Sequence, residues 1–301
     1  MGKEVTGKTL KYFQNGIEQE VNSVSPDFAF DILNKTTSAT PAPGKESTTG
    51  RVTRTLKIDT YLFTVMGAEI NSGTLTSGQK YLVTLGTIGS HAVGEIFQSD
   101  GTETCDTDNK VKPLGEKVTG KTLAVTFDSS SFLMKKCDYN ISYDKLSKTT
   151  SVTPPPGKEI TTGRFKSTTQ LEALMYRETA DLIENSSPEV KPVVITFAPG
   201  VTVSGNALVH QISITDEVEG IVAVTYNIEW QGVPVETGIG YLAMATEQSC
   251  EVIFEKGAST NKGFTGIIIL TDRQISCDVE GDATISSTGT LNGAITPTVY
   301  S

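Results

Sequence analysis

The chain has 301 residues, 37% of them hydrophobic and 20% charged, a composition that suits one large globular domain or two of ordinary size and excludes extended disorder. Its net charge of −10 and pI near 4.8 argue against a surface that grips nucleic acid, because neutralising phosphates takes clustered Lys and Arg. The four cysteines, Cys105, Cys137, Cys250 and Cys277, lie far apart with no C-x-x-C pair, so buried free thiols are expected and not a zinc ribbon or a dithiol centre.

In chain order, the first feature is residues 2–9, GKEVTGKT, which fit the phosphate-loop pattern G-x-x-x-x-G-K-[ST]; residues 115–122, GEKVTGKT, fit it again. That motif binds phosphate only where a strand delivers the loop and a helix follows it. Met1 alone stands before the first copy, and the polar NKVKPL, with Pro113, stands before the second. After each copy a short apolar piece, LKYF or LAVTF, runs into turn residues. Both copies are predicted to be turns that lead into strands.

A second strand is expected over residues 28–33, and over 141–146 in the second copy. The stretch KTTSATPAPGKESTTGR at residues 35–51 recurs as KTTSVTPPPGKEITTGR at 148–164, with 14 of 17 positions identical. Prolines fix φ and withhold an N–H, so both stretches are loops. The offset, 148 − 35 = 113, equals that of the two VTGKTL segments, 118 − 5, so the whole interval aligns without a gap. In that register Phe28, Phe30, Asp31 and Leu33 match Ile141, Tyr143, Asp144 and Leu146, which keeps the alternating apolar pattern of a strand. Beyond the loops, Ile58, Tyr61, Leu62, Val65 and Met66, and in the second copy Leu171, Leu174, Met175 and Leu182, are spaced as on a short amphipathic helix.

Residues 71–113 have no counterpart and read as a small extra β-module with glycine turns. Towards the C-terminus, residues 205–232 align without gaps on residues 266–293 at an offset of 61, sharing V-E-G at 218–220 and 279–281. Both read as β-hairpins. The order of the halves, N, N, C, C, excludes simple tandem duplication and makes the topology nested or swapped. The expected organisation is a first discontinuous unit at 1–70 and 248–301, a small β insertion at 71–116, a second unit at 117–232 and a connector at 233–247. The fold class that follows is mainly β: two β-sandwich or barrel units, each with one flanking α-helix, nested one within the other.

No catalytic constellation stands out. His91 and His210 have no nucleophile or ligand near them in sequence, and the acidic stretches SDGTETCDTDN and TDEVEG lack the spacing of a calcium loop. Trp230 sits on a strand pattern that favours packing. No apolar leader or 18-residue apolar run is present, so synthesis in a cytoplasm is expected.

A strand beginning GKTL, a polar loop ending TTGR, a helix, and a closing hairpin of the form SGNALVHQISIT…VEG…VTYNIEWQG together resemble the major tail tube proteins of tailed bacteriophages. The resemblance covers residues 2–69, 119–232 and 250–293, with two tube-type units in one chain. It implies β-sandwich domains with one helix each, in rings that stack into a tube. Three chains of two units would make a pseudo-sixfold ring, a homotrimer. It implies partners beside other copies of the chain: tape-measure protein and passing DNA in the lumen, held without sequence-specific binding, and tail terminator and baseplate proteins. The place would be the tail of a virion, assembled in the bacterial host's cytoplasm, with no membrane partner, cofactor, metal or catalytic residue. It also makes the two loops the ring-to-ring contacts, through Pro41, Pro43, Gly44, Lys45 and Arg51 in one copy and Pro154, Pro156, Gly157, Lys158 and Arg164 in the other. The alternatives are a trimeric baseplate hub or distal tail protein, a bacterial surface adhesin, and a nucleotide-binding enzyme resting only on the two phosphate-loop matches.

Overall fold

The computed structural model describes residues 10–34, 47–64, 68–93, 96–128, 130–148, 159–174, 190–215, 223–239, 244–254 and 261–300. The described chain is mainly β, and alternation of apolar and polar residues is what makes it so. Four strands come first: β1 (Lys11–Gln14), β2 (Ile17–Gln19), β3 (Val21–Asn34) and β4 (Ser47–Tyr61). Seven short ones follow: β5 (Gly73–Thr74), β6 (Lys80–Leu85), β7 (Thr87–Ile88), β8 (His91–Ala92), β9 (Ile96–Gln98), β10 (Thr104–Cys105) and β11 (Lys110–Pro113). They form three small sheets around a core of their own, including Tyr81, Val83, Phe97 and Val111.

After a 3-10 turn at Gly120–Thr122 come β12 (Ala124–Phe127), β13 (Ser130–Leu133), β14 (Lys136–Ser147), β15 (Ile160–Leu174), β16 (Val190–Ala198), β17 (Val201–Thr215), β18 (Ala223–Trp230) and β19 (Val235–Thr237). The last are β20 (Glu247–Ile253), β21 (Asn261–Asp278) and β22 (Thr284–Tyr300). These strands and β1 to β4 belong to one large antiparallel sheet system of 15 strands.

Pairing divides that system into two sets. Strands β1 and β4 pair with β20 and β22 from the other end of the chain. Strands β12 to β19 pair among themselves, apart from β14, whose second edge pairs with β21. Adding 113 to the bounds of β1 and β4 gives those of β12 and β15. The ladders match too: Arg273 opposite Ser287 repeats Ile212 opposite Tyr226 at an offset of 61. Two pairs of bulges coincide as well: the ladder registers skip Asp31 and Asp144 in the two N-terminal hairpins, and His210 and Thr271 in the two C-terminal ones. A bulge fixes register, because a one-residue slip would turn every side chain to the other face.

The amphipathic helices expected over 58–66 and 171–182 do not form where the chain is described. Ile58 and Tyr61 lie in β4, and Leu171 and Leu174 in β15. In β4, buried Leu56, Ile58 and Thr60 alternate with Thr55, Lys57 and Asp59, so the period is two, and Thr-rich sequence suits a pleated strand. Val65, Met66, Met175 and Leu182 lie outside the described residues. Residues 233–247, read as a connector, contribute β19, which pairs with β17.

Tyr12, Leu56, Ile58, Val252, Ile268 and Leu291 are buried together in the first set. Val125, Tyr139, Leu171, Ile195, Tyr226 and Trp230 centre the second core, which also takes in Ile275, Cys277 and Ile285 from β21 and β22. At about 1.5–3 kcal/mol per large apolar side chain, these two clusters dominate the stability.

Candidate functional site

One path through the sheet system gives an unbroken row of eight antiparallel strands, in the order β17, β18, β15, β14, β21, β22, β4, β3. Cross-strand partners share a face, so the registers say what each face carries. One face bears Ser213, Asn227, Gln170, Asn140, Gln274, Ser286, Lys57 and Asp27 in succession, each strand contributing short polar residues. The other face holds Tyr226, Leu171, Tyr139, Ile275 and Ile58, which are buried. The row thus presents a wide, polar, hydroxyl- and amide-rich wall backed by core.

The charges on this wall are largely tied to each other. Lys57 lies 3.3 Å from Asp59, Lys136 2.8 Å from Asp138 and Lys166 3.7 Å from Asp144. Burial pushes the Asp59 carboxyl up, yet hydrogen bonds from Ser23, Ser286 and Lys57 outweigh it and hold its pKa below the ordinary value. Ser23 donates to it at 2.6 Å, so one carboxylate ties β3, β4 and β22. Such exposed pairs add little stability, but they leave these lysines less able to grip a passing anion.

Behind the wall, β14 and β21 join the two sets of strands. Cys137 stands directly opposite Cys277, and both thiols are free and buried. Glu236 of β19 pairs with Arg273 of β21 and accepts a hydrogen bond from Tyr139 Oη at 3.0 Å. Burial, then the Glu236 charge, raise the Tyr139 hydroxyl far above the ordinary tyrosine value, so it stays a donor. Trp230 Nε1 donates to Thr169 Oγ1 at 2.8 Å, and its ring meets Tyr139 edge-on at 6.2 Å, which is the packing role its strand position predicts.

Of the two stretches read as loops, residues 47–51 and 160–164 are strand instead, the first residues of β4 and β15, because Thr-rich sequence after the last proline suits a pleated strand paired with β3 and β14; residues 35–46 and 149–158 lie outside the described residues. Pro41, Pro43, Gly44, Lys45, Pro154, Pro156, Gly157 and Lys158 lie outside the described residues. Arg51 and Arg164 are described: they sit on β4 and β15 near the hairpin ends, Arg51 partly buried and Arg164 exposed. Where the loop end of the β14–β15 hairpin meets β20 and β22, Lys148 pairs with Glu247 at 2.8 Å. Asn292 makes reciprocal bonds of 3.1 Å with the backbone of Ile160. A cleft of about 750 Å³ opens beside them, lined by Glu159, Glu251, Phe13 and Ile267 among others.

The second phosphate-loop match is built for protein contacts. A Cβ on Gly120 would stand 1.9 Å from the carbonyl oxygen of Asp278, so glycine is required by close approach. Gly120 N donates to Gly281 O at 3.1 Å and Thr122 Oγ1 to Phe197 O at 2.8 Å, and β12 follows the 3-10 turn. The Val118 and Gly120 amides and the Thr122 hydroxyl, three of the donors a phosphate loop would use, are thus engaged within the chain. Residues 2–9 lie outside the described residues.

Elsewhere, His91 stacks on Phe97 at 4.5 Å and His210 is exposed at the β17 bulge. Asp106 accepts amides from Asp108 and Asn109 at 2.9 and 2.8 Å, a local turn that holds its pKa low. Among the described residues no cluster of three or more potential metal ligands occurs, and no helix is long and apolar enough to cross a membrane. The polar wall was not legible beforehand, because it exists only once eight strands from four regions of the chain are in register.

No protein-family model matches this chain, and no curated protein matches it in sequence.

Proposed function

We propose that this protein is a structural subunit of a phage tail tube, with two tube-type units in one chain, the first (1–70 and 248–301) enclosing the second. Three copies form a pseudo-sixfold ring, and rings stack into a conduit for DNA. The observation that carries the reading is the eight-strand polar wall, joined mid-row by β14 and β21 and composed of two register-matched halves. Repeated around an axis, such a wall lines a bore. Its hydroxyls, amides and self-paired lysines suit DNA that must slide without counterion-releasing contacts, and the overall charge of −10 agrees with that.

On this reading the chain has no catalytic role. Its partners are other copies of itself, tape-measure protein and DNA in the lumen, and the proteins that begin and end the tail; its place is the virion tail, assembled in the host cytoplasm. The stretches 35–51 and 148–164, at the ends of the two long hairpins, make the ring-to-ring contacts. Electron microscopy of the purified protein is the test: extended tubes support the proposal, single rings that never stack favour a baseplate hub, and monomers at high concentration count against both.

A further inference from the structure

The row of eight strands ends in two open edges. Among the described residues, β3 pairs on one side only, with β4, and the C-terminal half of β17 pairs on one side only, with β18, the described part of β16 reaching as far as Leu208. These are the counterparts, at offsets of 113 and 61, of the two strands that pair inside the chain, β14 and β21. We propose that β3 of one copy pairs antiparallel with β17 of the next in the register β14 and β21 already use. Moving Tyr139 opposite Ile275, Asn140 opposite Gln274 and Ile141 opposite Arg273 by those offsets places Pro26 opposite Ile214, Asp27 opposite Ser213 and Phe28 opposite Ile212. The proposal deepens the tube reading and rests on it for the premise that copies assemble.

Burial supports it independently of register. Inside the chain, Ile141 is 7% exposed and Ile275 0%. Their counterparts at the open edges, Phe28 and Ile214, are apolar as well yet 40% and 52% exposed. A long edge with exposed apolar residues invites another strand. The side chains at these positions are those of an interface whose partner is missing from the single chain.

Backbone polarity fits too. Leu62 N donates to Ala283 O and Gln231 N to Asn206 O, which fixes by alternation which residues face their inner neighbours. On β3 that leaves Val24, Pro26 and Phe28 turned outward, and on β17 it leaves Ile212 and Ile214. Val279 N on Lys135 O shows the same phase inside, with Cys137, Tyr139 and Ile141 turned to β21. Pro26 stands where Tyr139 supplies an amide, so the contact between copies has one backbone hydrogen bond fewer than the contact within a chain. The interface is heterologous, each copy offering β3 to one neighbour and β17 to the other, so it closes into a ring or continues as a filament.

Disulfide trapping tests the register. The full-length Asp27→Cys/Ser213→Cys double variant, treated with diamide, is expected to give covalent multimers on non-reducing gels. Asp27→Cys/Ile214→Cys, one residue out of register and on opposite faces, is expected to stay monomeric. Phe28→Asp or Ile214→Asp is expected to weaken association on the order of tenfold or more in light scattering with an unchanged melting temperature. Equal trapping of both pairs, or no trapping in a protein that still oligomerises, overturns the proposal and leaves the tube reading standing. In-register trapping in a protein that microscopy shows never to stack upholds the edge pairing and defeats the tube.

Discussion

Arg273 on β21 is paired with Glu236 on β19, so a strand that joins the N-terminal set to β14 is pinned by a charge from the middle of the chain. Arg273 is 6% exposed, and its Nε has no acceptor among the described residues. Glu236→Ala would leave a buried guanidinium uncompensated and remove the acceptor of Tyr139 Oη. The expected loss is about 3–5 kcal/mol, seen as a lower urea midpoint, and Arg273→Met with Glu236→Leu should recover most of it. If Glu236→Ala unfolds at the wild-type midpoint, the pair is not holding the junction.

Alkaline pH should weaken the fold before it alters the surface. Burial pushes the Cys277 thiol up to about 11 and Cys250 to about 12, from 9.0. A raised folded pKa means the unfolded chain releases its proton first. The contribution is therefore complete below about pH 9 and declines as pH climbs through the folded values, by about 1.4 kcal/mol per pH unit for each thiol. Unfolding free energies measured from pH 8 to 11 should fall with that onset, and Cys250→Ala should reduce the slope.

Gly120 and Lys121 separate a packing role from a phosphate-binding one. Gly120→Ala forces a methyl into the Asp278 carbonyl and should cost about 1–3 kcal/mol or more. Lys121 is exposed, and Lys121→Ala should leave stability within about 0.5 kcal/mol of wild type. Thermal melts of the two variants distinguish them, and the opposite ranking would show that the turn has been misread.

Pro26 is the position where the proposed contact between copies can be strengthened. Pro26→Val returns an outward amide to the open edge of β3, where Tyr139 has one in the internal contact. Higher-order species should appear at lower protein concentration in light scattering; unchanged association would mean that β3 does not receive a neighbour's strand.

The repeats made much of this architecture legible. Gap-free offsets of 113 and 61 predict that the same strands occur twice, and the bounds of β4 and β15 differ by that 113. At Ile58 and Leu171 apolar residues spaced by three and four predict a helix, and the chain forms strands there instead. Leu56, Ile58, Leu171 and Ala173 are buried at intervals of two, and tertiary pairing with β22 and β18 selects that period.

By itself, the sequence determined the β character, the doubling and the local turns, because alternation, repeats, proline and glycine act over a few residues. Only the tertiary structure decided that β14 meets β21, that eight strands from distant segments share one polar face, and that Phe28 and Ile214 are left uncovered while Ile141 and Ile275 are buried. Pairing between strands more than a hundred residues apart depends on packing and register across the whole chain, and no local pattern encodes which edge will find a partner within the molecule and which will remain open.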